Sequence, residues 1–266
     1  MKRLKLKSPL CLIILAVCMG TGCNPTYQSI RAYVPQHTGA KQLQIEAGPA
    51  QVDASYSIND QISVNVGGVF QKNETKIEEE INGDKIEGTE TSELMGTHFG
   101  VGYFKPLGTD EGTVFSLNAG AAIQTWQFDR SNPDLLGTVG FDSFEAGVMN
   151  PYAQVAFSHG SPESNSVVGL RYEQPTFDFT DAQPATLKAK GEPKLVNLIV
   201  QGKYGLFKGI SLFSHFIYRH NLDTEHFGID VTDNPYSISS WNIYFGLGYS
   251  IGFESKDKPE EQATAE

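Results

Sequence analysis

Apolar and polar residues alternate along most of the chain after residue 40, which is the period of a β-strand with two different faces. The clearest example is the last segment, in which every second residue is apolar: Trp241, Ile243, Phe245, Leu247, Tyr249, Ile251 and Phe253. The residues between them are small or polar, apart from Tyr244. The segment extends over 14 residues, whereas strands of soluble proteins usually have about 5–6. The pattern predicts long strands with one apolar and one polar face.

Segments of this kind are predicted at 41–48, 51–58, 61–71, 94–105, 113–128, 146–158, 166–174, 194–206, 210–220 and 240–253. Short connections, at 59–60, 107–112, 159–165 and 207–209, alternate with long polar ones at 72–93, 129–145, 176–193 and 221–239. Short turns on one side and long loops on the other are typical of outer-membrane barrels. We therefore predict an all-β fold, an antiparallel up-and-down transmembrane β-barrel of about ten strands, with eight as the alternative. Nine would result if 41–58 formed one strand, because only Gly48-Pro49-Ala50 separates the first pair.

Aromatic residues collect near the ends of these segments, where outer-membrane barrels carry girdles at the two membrane interfaces. The predicted girdle residues are Phe70, Tyr103, Trp126, Phe128, Trp241 and Phe253.

The N-terminus has the pattern of a secretory signal peptide, since a basic start, 2–7, precedes an apolar run, 9–19. Gly20-Thr21-Gly22 before Cys23 resembles a bacterial lipobox, which implies cleavage after residue 22 and lipidation of Cys23. A cut before Cys18 is the rival, but it places branched Val17 at the cleaved bond. An ordinary signal peptide is the other alternative; it would leave Cys23 as a thiol without a disulfide partner.

The mature chain then divides into three parts. Residues 23–40 contain two prolines and no clear period, so we expect a lipidated tether; 41–253 form the barrel, and 254–266 form a charged tail. An even number of strands returns both barrel ends to one side. We therefore expect a Gram-negative outer-membrane protein with both termini in the periplasm and its lipid in the inner leaflet.

Composition excludes two broad classes of protein. Outside the N-terminus no apolar run reaches 18 residues, so no helix can span a bilayer. The formal net charge is −11, and without residues 1–22 it becomes −15, from 16 basic and 31 acidic side chains. Since no basic block follows residue 7, we expect no nucleic-acid partner.

The region after Cys23-Asn-Pro resembles a known group of proteins. The likeness is carried by Tyr33-Val-Pro35, 42–48 and 53–68, and covers about the first 50 mature residues. These residues resemble uncharacterised outer-membrane β-barrel lipoproteins of the Bacteroidota. The resemblance implies outer-membrane lipid and the barrel assembly machinery as partners, and it lends no catalytic residues. Members often carry an acidic surface-export signal after the cysteine, which Asn24-Pro25-Thr26 lacks.

The polar faces of the predicted strands contain charges of both signs. Strand parity turns the following residues inward: Glu46, Asp53, His98, Arg171, Glu173, Lys203, His215 and Arg219. A barrel of about eight strands has an interior that side chains just fill. We expect a structural network of ion pairs and hydrogen bonds, and the alternative is a selective channel lined by the same charges.

Three other sequence features could carry chemistry, but their position or spacing does not suit it. His159-Gly-Ser161 resembles the His-x-Ser pair of lipid A deacylases, but it falls in a short turn instead of on a lipid-facing strand. His215, His220 and His226 lack metal-ligand spacing, and acidic 74–93 lacks an EF-hand pattern. We expect no enzyme activity, metal or cofactor. The predicted function is a structural or surface-interaction barrel with an unknown extracellular ligand. The alternatives are a narrow channel, a membrane-embedded lipid A hydrolase, or a lipid-tethered soluble β-domain.

Overall fold

The chain folds into a closed antiparallel barrel of ten strands in an up-and-down order. The structure, a computed structural model, describes residues 26–27, 29–81, 84–107, 112–131, 143–179, 193–222, 225–226, 229–230, 237–238 and 240–252. The barrel strands are β1 (Gln42–Ala47), β2 (Gln51–Ser57), β3 (Ile62–Ile81), β4 (Asp84–Pro106), β5 (Thr113–Arg130), β6 (Ser143–Gly160), β7 (Asn165–Glu173), β8 (Leu195–Phe207), β9 (Ile210–Asn221) and β10 (Trp241–Gly252). The predicted fold class is confirmed.

Closure comes from the pairing of the first and last strands. Leu247 of β10 lies opposite Ala47 of β1, and the register continues to Gly252 opposite Gln42. β1 and β2 are two separate strands, because the backbone N–H of Gly48 donates to the carbonyl of Gln51 at 2.9 Å and closes the turn. The barrel therefore has ten strands and not nine.

The two ends of the barrel differ. The short-turn end carries the connections 58–61, 107–112, 161–164 and 208–209, together with the start of β1 and the end of β10. The long-loop end carries 131–142, 174–194 and 222–240 and the hairpin between β3 and β4. The short strand Thr176–Phe179 lies within the long-loop end and pairs with β6.

The prediction of a loop at 72–93 is wrong, because β3 and β4 stay paired as far as Ile81 opposite Asp84. β5 follows β4 only to Glu90 opposite Arg130. The remainder is a two-stranded ribbon that extends beyond the wall by roughly 20 Å, at about 3.4 Å per residue. The described side chains Lys76, Glu78, Lys85 and Glu87 are exposed on one face of this ribbon, and none of them is apolar, so this face does not mark the segment as strand.

Residues on each strand alternate between a buried inward face and an exposed outward face. In β6, for example, every even-numbered residue from Phe144 to Ser158 is buried. The outward face is apolar: Val66, Phe99 and Leu247 are 57%, 58% and 56% exposed. No membrane-spanning helix is found among the residues that the structure describes.

The girdle prediction is wrong for Trp126 and Phe128. Both are buried on the inward face of β5, as the parity of that strand requires. They belong to an apolar cluster inside the long-loop end, formed by Ile30, Val69, Leu94, Ala122, Trp126, Phe128, Phe144, Ala146, Val148 and Phe177. The rings of Trp126 and Phe144 meet edge to face with centroids 4.8 Å apart, a favoured aromatic geometry.

Candidate functional site

The barrel interior contains a stretch of the chain that precedes the barrel. Residues 29–38, here called the lumen segment, continue into β1, and residues 29–37 are all buried. The sequence predicts a lipidated tether at 23–40. The structure instead places this part of it inside the barrel, where its backbone and side chains contact the inward faces of the strands.

The lumen segment passes from one end of the barrel to the other. At the long-loop end, Ser29 accepts a hydrogen bond from Arg219, which lies near the end of β9. At the short-turn end, the Gln36 amide donates to the carbonyl of Gly160, the last residue of β6, at 3.2 Å. The chain therefore runs from the long-loop end toward the short-turn end before it turns into β1.

The two faces of the lumen segment meet different surroundings. Ile30 packs in the apolar cluster at the long-loop end, and Ala32 and Val34 pack in a second buried cluster. Arg31 and Tyr33 point to polar partners, and the Tyr33 hydroxyl lies 3.0 Å from the hydroxyl of Ser55. The segment is thus a strand-like insert whose alternation fits the interior.

Two carboxylates face each other across the first strand pair. Glu46 of β1 and Asp53 of β2 are register partners and are fully buried. Arg31 forms an ion pair with Asp53, and its Nη2 also lies 3.7 Å from Glu46 Oε2. Lys203 Nζ lies 2.8 Å and His215 Nε2 3.1 Å from the Glu46 carboxylate. We call these five residues and His98 the central network.

His98 completes the central network because a glycine separates it from Asp53. Asp53, Gly67 and His98 are register partners on β2, β3 and β4. His98 Nε2 lies 2.6 Å from Asp53 Oδ1. A Cβ at Gly67 would overlap the His98 ring and lie 2.5 Å from Asp53 Oδ1. The missing side chain at Gly67 is what lets the two groups touch across β3.

A second group of polar residues lies on β6 and β7. Arg171 Nε lies 2.6 Å from Glu173 Oε1, and the Asn150 amide donates to the other Glu173 oxygen at 3.3 Å. The Arg171 guanidinium stacks over the ring of Tyr152, with Cζ 3.8 Å from the centroid.

Arg219 forms a third polar group near the long-loop end. Its Nε donates to Asn197 Oδ1 at 3.0 Å and its Nη1 to Asn242 Oδ1 at 3.4 Å, besides the bond to Ser29. These contacts connect β8, β9 and β10 to the start of the lumen segment.

The structure places all eight predicted lumen residues on the inward face, and each is buried. It distributes them among the central network, the Arg171 group and the Arg219 group. Sequence reasoning missed Arg31, which bridges the two facing carboxylates. The signal was present, because Ile30, Ala32 and Val34 alternate with Arg31 and Tyr33 at period two.

The chemistry of the interior is that of paired charges. The carboxylates of Glu46, Asp53 and Glu173 each contact a cationic side chain or histidine. Buried charges are stabilised only when they are paired and hydrogen-bonded in this way. The part of the chain that the structure describes has no group of three or more His, Cys, Asp or Glu side chains that could hold a metal ion.

The His-x-Ser motif lies at the short-turn end. His159 Nδ1 is 3.0 Å from the hydroxyl of Thr113 and is exposed. The Ser161 hydroxyl accepts a hydrogen bond from the backbone of Ser164 at 3.1 Å within the turn 161–164. The prediction of a turn is wrong for His159, which pairs with Thr113 near the end of β6, while Ser161 begins the turn that follows, on the side of the barrel opposite to the long loops.

The signal peptide 1–22, the lipidation candidate Cys23, the girdle candidate Phe253 and the tail 254–266 lie outside the described residues. The sequence matches no protein-family model, and no curated protein is significantly similar to it. The resemblance to barrel lipoproteins of the Bacteroidota stays a prediction, and the conclusions about function rest on the barrel and its interior.

Proposed function

We propose that the chain is an outer-membrane β-barrel protein, anchored by a lipid on Cys23, that acts by surface interaction through its long-loop end. The observation that carries this proposal is the distribution of side chains across the barrel wall. Charged groups and amides occupy much of the interior, beside two apolar clusters, while large apolar residues point outward from β2 through β10. A soluble barrel would bury such apolar residues and turn its charged groups to water.

The outward apolar residues form a belt around the wall. Tyr56, Val101, Leu117, Phe157, Leu170 and Phe216 are among them, and all are exposed. Soluble monomers rarely expose contiguous apolar patches larger than a few hundred Å². In water such a belt costs about 25 cal/mol per Å² of apolar surface, and lipid chains remove that cost. A Gram-negative outer membrane is the setting in which barrels of this kind occur.

The filled interior favours an interaction protein over a channel. The lumen segment passes through the barrel, and the central network binds it to β1 and β2 through Glu46 and Asp53. A narrow channel would need this segment to leave. Purified protein in a planar bilayer is therefore expected to give no stepwise conductance, and regular conductance steps would favour the channel.

Among the residues that the structure describes, the ribbon of β3 and β4 extends beyond the wall at the long-loop end. Lys76, Glu78 and Lys85 on it are exposed. Residues 72–93 contain eight acidic and three basic side chains. The acidic excess in this region favours a partner with exposed positive charge. Opposite charges speed the encounter of two proteins, and like charges disfavour other partners.

Cysteine labelling on intact cells tests the location and the orientation together. Lys85 on the ribbon and Lys208 in the turn before β9 are both exposed lysines, at opposite ends of the barrel. A membrane-impermeant maleimide should label Lys85→Cys on intact cells and Lys208→Cys only after the outer membrane is opened. The reverse labelling pattern would contradict the orientation. A protein without its lipid that stays monomeric in water without detergent would contradict the membrane barrel.

A further inference from the structure

The N-terminal part of the described chain emerges at the long-loop end. Thr26–Tyr27 pairs in parallel with Ser237–Ile238, which belong to the connection between β9 and β10. Ser29, two residues after Tyr27, accepts a hydrogen bond from Arg219. The expectation of both termini on one side holds for the barrel ends, Gln42 and Gly252, but the segment before the barrel begins on the other side.

The contacts along the lumen segment fix its direction independently of that pairing. Arg31 donates its backbone N–H to the side chain of Gln51 at the start of β2, at 2.8 Å. Thr38 donates its N–H to the side chain of Gln42 at the start of β1, at 2.8 Å. The start of β1 and the start of β2 lie at opposite ends of the barrel, because these two strands are antiparallel. The order of contacts therefore places residue 29 at the long-loop end.

The length of chain before Thr26 limits where Cys23 can lie. Three peptide units separate the two residues and span at most about 11 Å when fully extended. Passage through the barrel takes the ten residues of the lumen segment, 29–38. Three residues cannot repeat that passage in reverse, so Cys23 cannot return to the short-turn end while the lumen segment is in place.

We infer that the chain threads its own N-terminus through its barrel, so that the lipid on Cys23 enters the outer leaflet beside the long loops. This inference rests on the proposed function for the lipid and for the orientation of the barrel. It replaces the expectation of a lipid in the inner leaflet. The lipid then reaches the outer leaflet by the fold itself, without an acidic export signal.

Barrel closure offers a route for the lipid. The lumen segment continues through Ala40 and Lys41 into β1, and β1 pairs with β10 to complete the wall. Since the finished interior is filled by side chains, the lumen segment takes its place while β10 is still unpaired with β1. The lipid therefore passes beside an open sheet edge and never through the finished lumen.

A disulfide between Thr26→Cys and Ser237→Cys tests the threading in the full-length, lipidated chain in intact cells. Paired neighbouring strands lie about 4.8 Å apart, within the Cα separation that a disulfide allows. The control pair is Thr26→Cys with Lys208→Cys, at the short-turn end. The Thr26–Ser237 disulfide, identified by mass spectrometry of the digested protein, should form in at least about tenfold higher yield than the control.

The outcomes separate this inference from the proposed function. A Thr26–Lys208 disulfide, or equal yields for the two pairs, overturns the threading, while labelling of Lys85→Cys on intact cells would still support the surface barrel. A Thr26–Ser237 disulfide with labelling of Lys208→Cys alone on intact cells leaves the threading in place but overturns the orientation, and with it the outer-leaflet lipid. The inference stands only when Thr26 bonds to Ser237 and Lys85→Cys is labelled from outside.

Discussion

Arg31 of the lumen segment forms a buried ion pair with Asp53 of β2, 22 residues later in the chain. The same guanidinium stacks over the ring of Phe213 on β9, with Cζ 4.5 Å from the centroid. It therefore joins the segment to two different strands of the wall, through an acidic side chain on β2 and an aromatic one on β9. A cation is needed at this place because Glu46 faces Asp53 with both carboxylates removed from solvent.

Replacing Arg31 by Met should destabilise the folded barrel strongly. The change leaves Asp53 without its cation in a buried site, and removing one partner of a buried pair typically costs about 3–5 kcal/mol. The measurement is the free energy of unfolding by urea in lipid vesicles, followed by gel mobility of unheated samples. A loss below about 1 kcal/mol, the level of an exposed pair, would contradict the burial of this contact.

Two variants control this experiment. Lys85→Met removes the partner of Glu78 on the ribbon, where both side chains are exposed, and should leave the urea midpoint unchanged. In Arg31→Met/Asp53→Asn the second change removes the stranded charge, so the double variant should be more stable than Arg31→Met alone. Absence of this recovery would mean that Arg31 acts through packing on Phe213 instead of through Asp53.

Gly67→Ala should destabilise the barrel although alanine suits a strand better than glycine. The added methyl group would force His98 and Asp53 apart, and overpacking of this kind usually costs about 1–3 kcal/mol. Gly68→Ala is the matched control, since the nearest atom to its Cβ would be the Gly96 carbonyl oxygen at 3.7 Å. Equal urea midpoints for the two variants would argue against the close approach at Gly67.

The strands and their two faces could be predicted because one face meets lipid or solvent and the other a polar interior. This produces a period of two that is visible within a single strand, before its pairing with other strands is known. Leu247 and Tyr249, which alternate with Gly248 and Ser250, are an example. Parity alone then placed Glu46 and the other lumen charges inward. It could not identify ion-pair partners, because these depend on which strands approach each other across the interior.

Two features escaped prediction for different physical reasons. The lumen segment alternates over only a few residues, 29–34. Because it lies inside the barrel, it is not joined by a turn to a paired neighbouring strand, and the sequence therefore carries no hairpin signal for it. The hairpin at 72–93 contains eight acidic and three basic side chains, a composition that is typical of a solvated loop and hides its strands. Trp126 and Phe128 were misassigned because aromatic residues near a strand end suit an apolar interior as well as a membrane interface.

Cys23→Ser should abolish incorporation of labelled fatty acid and leave the signal peptide uncleaved by the lipoprotein peptidase. The reason is that Cys11 and Cys18 lie within the predicted signal peptide, so the mature chain retains no other cysteine. Cys18→Ser is the matched control and should be processed and labelled normally. Labelling that persists in Cys23→Ser and disappears in Cys18→Ser would move the lipid to the rival cleavage site.

Leu247→Arg distinguishes a membrane barrel from a soluble one. Leu247 lies midway along β10 with 56% of its surface exposed, so its neighbours do not enclose it. In a bilayer an arginine near the midplane of the wall costs about 2–4 kcal/mol. In water the same substitution at an exposed position usually changes stability by no more than about 0.5 kcal/mol.

Unfolding by urea in lipid vesicles should therefore show a large loss of stability for Leu247→Arg. Glu78→Arg, on the ribbon beyond the wall, should show no such loss, because that position and its partner Lys85 are exposed and lie outside the bilayer. If both variants matched the parent protein, the outward apolar belt would not be in contact with lipid, and the chain would be a soluble barrel with an unusually apolar surface.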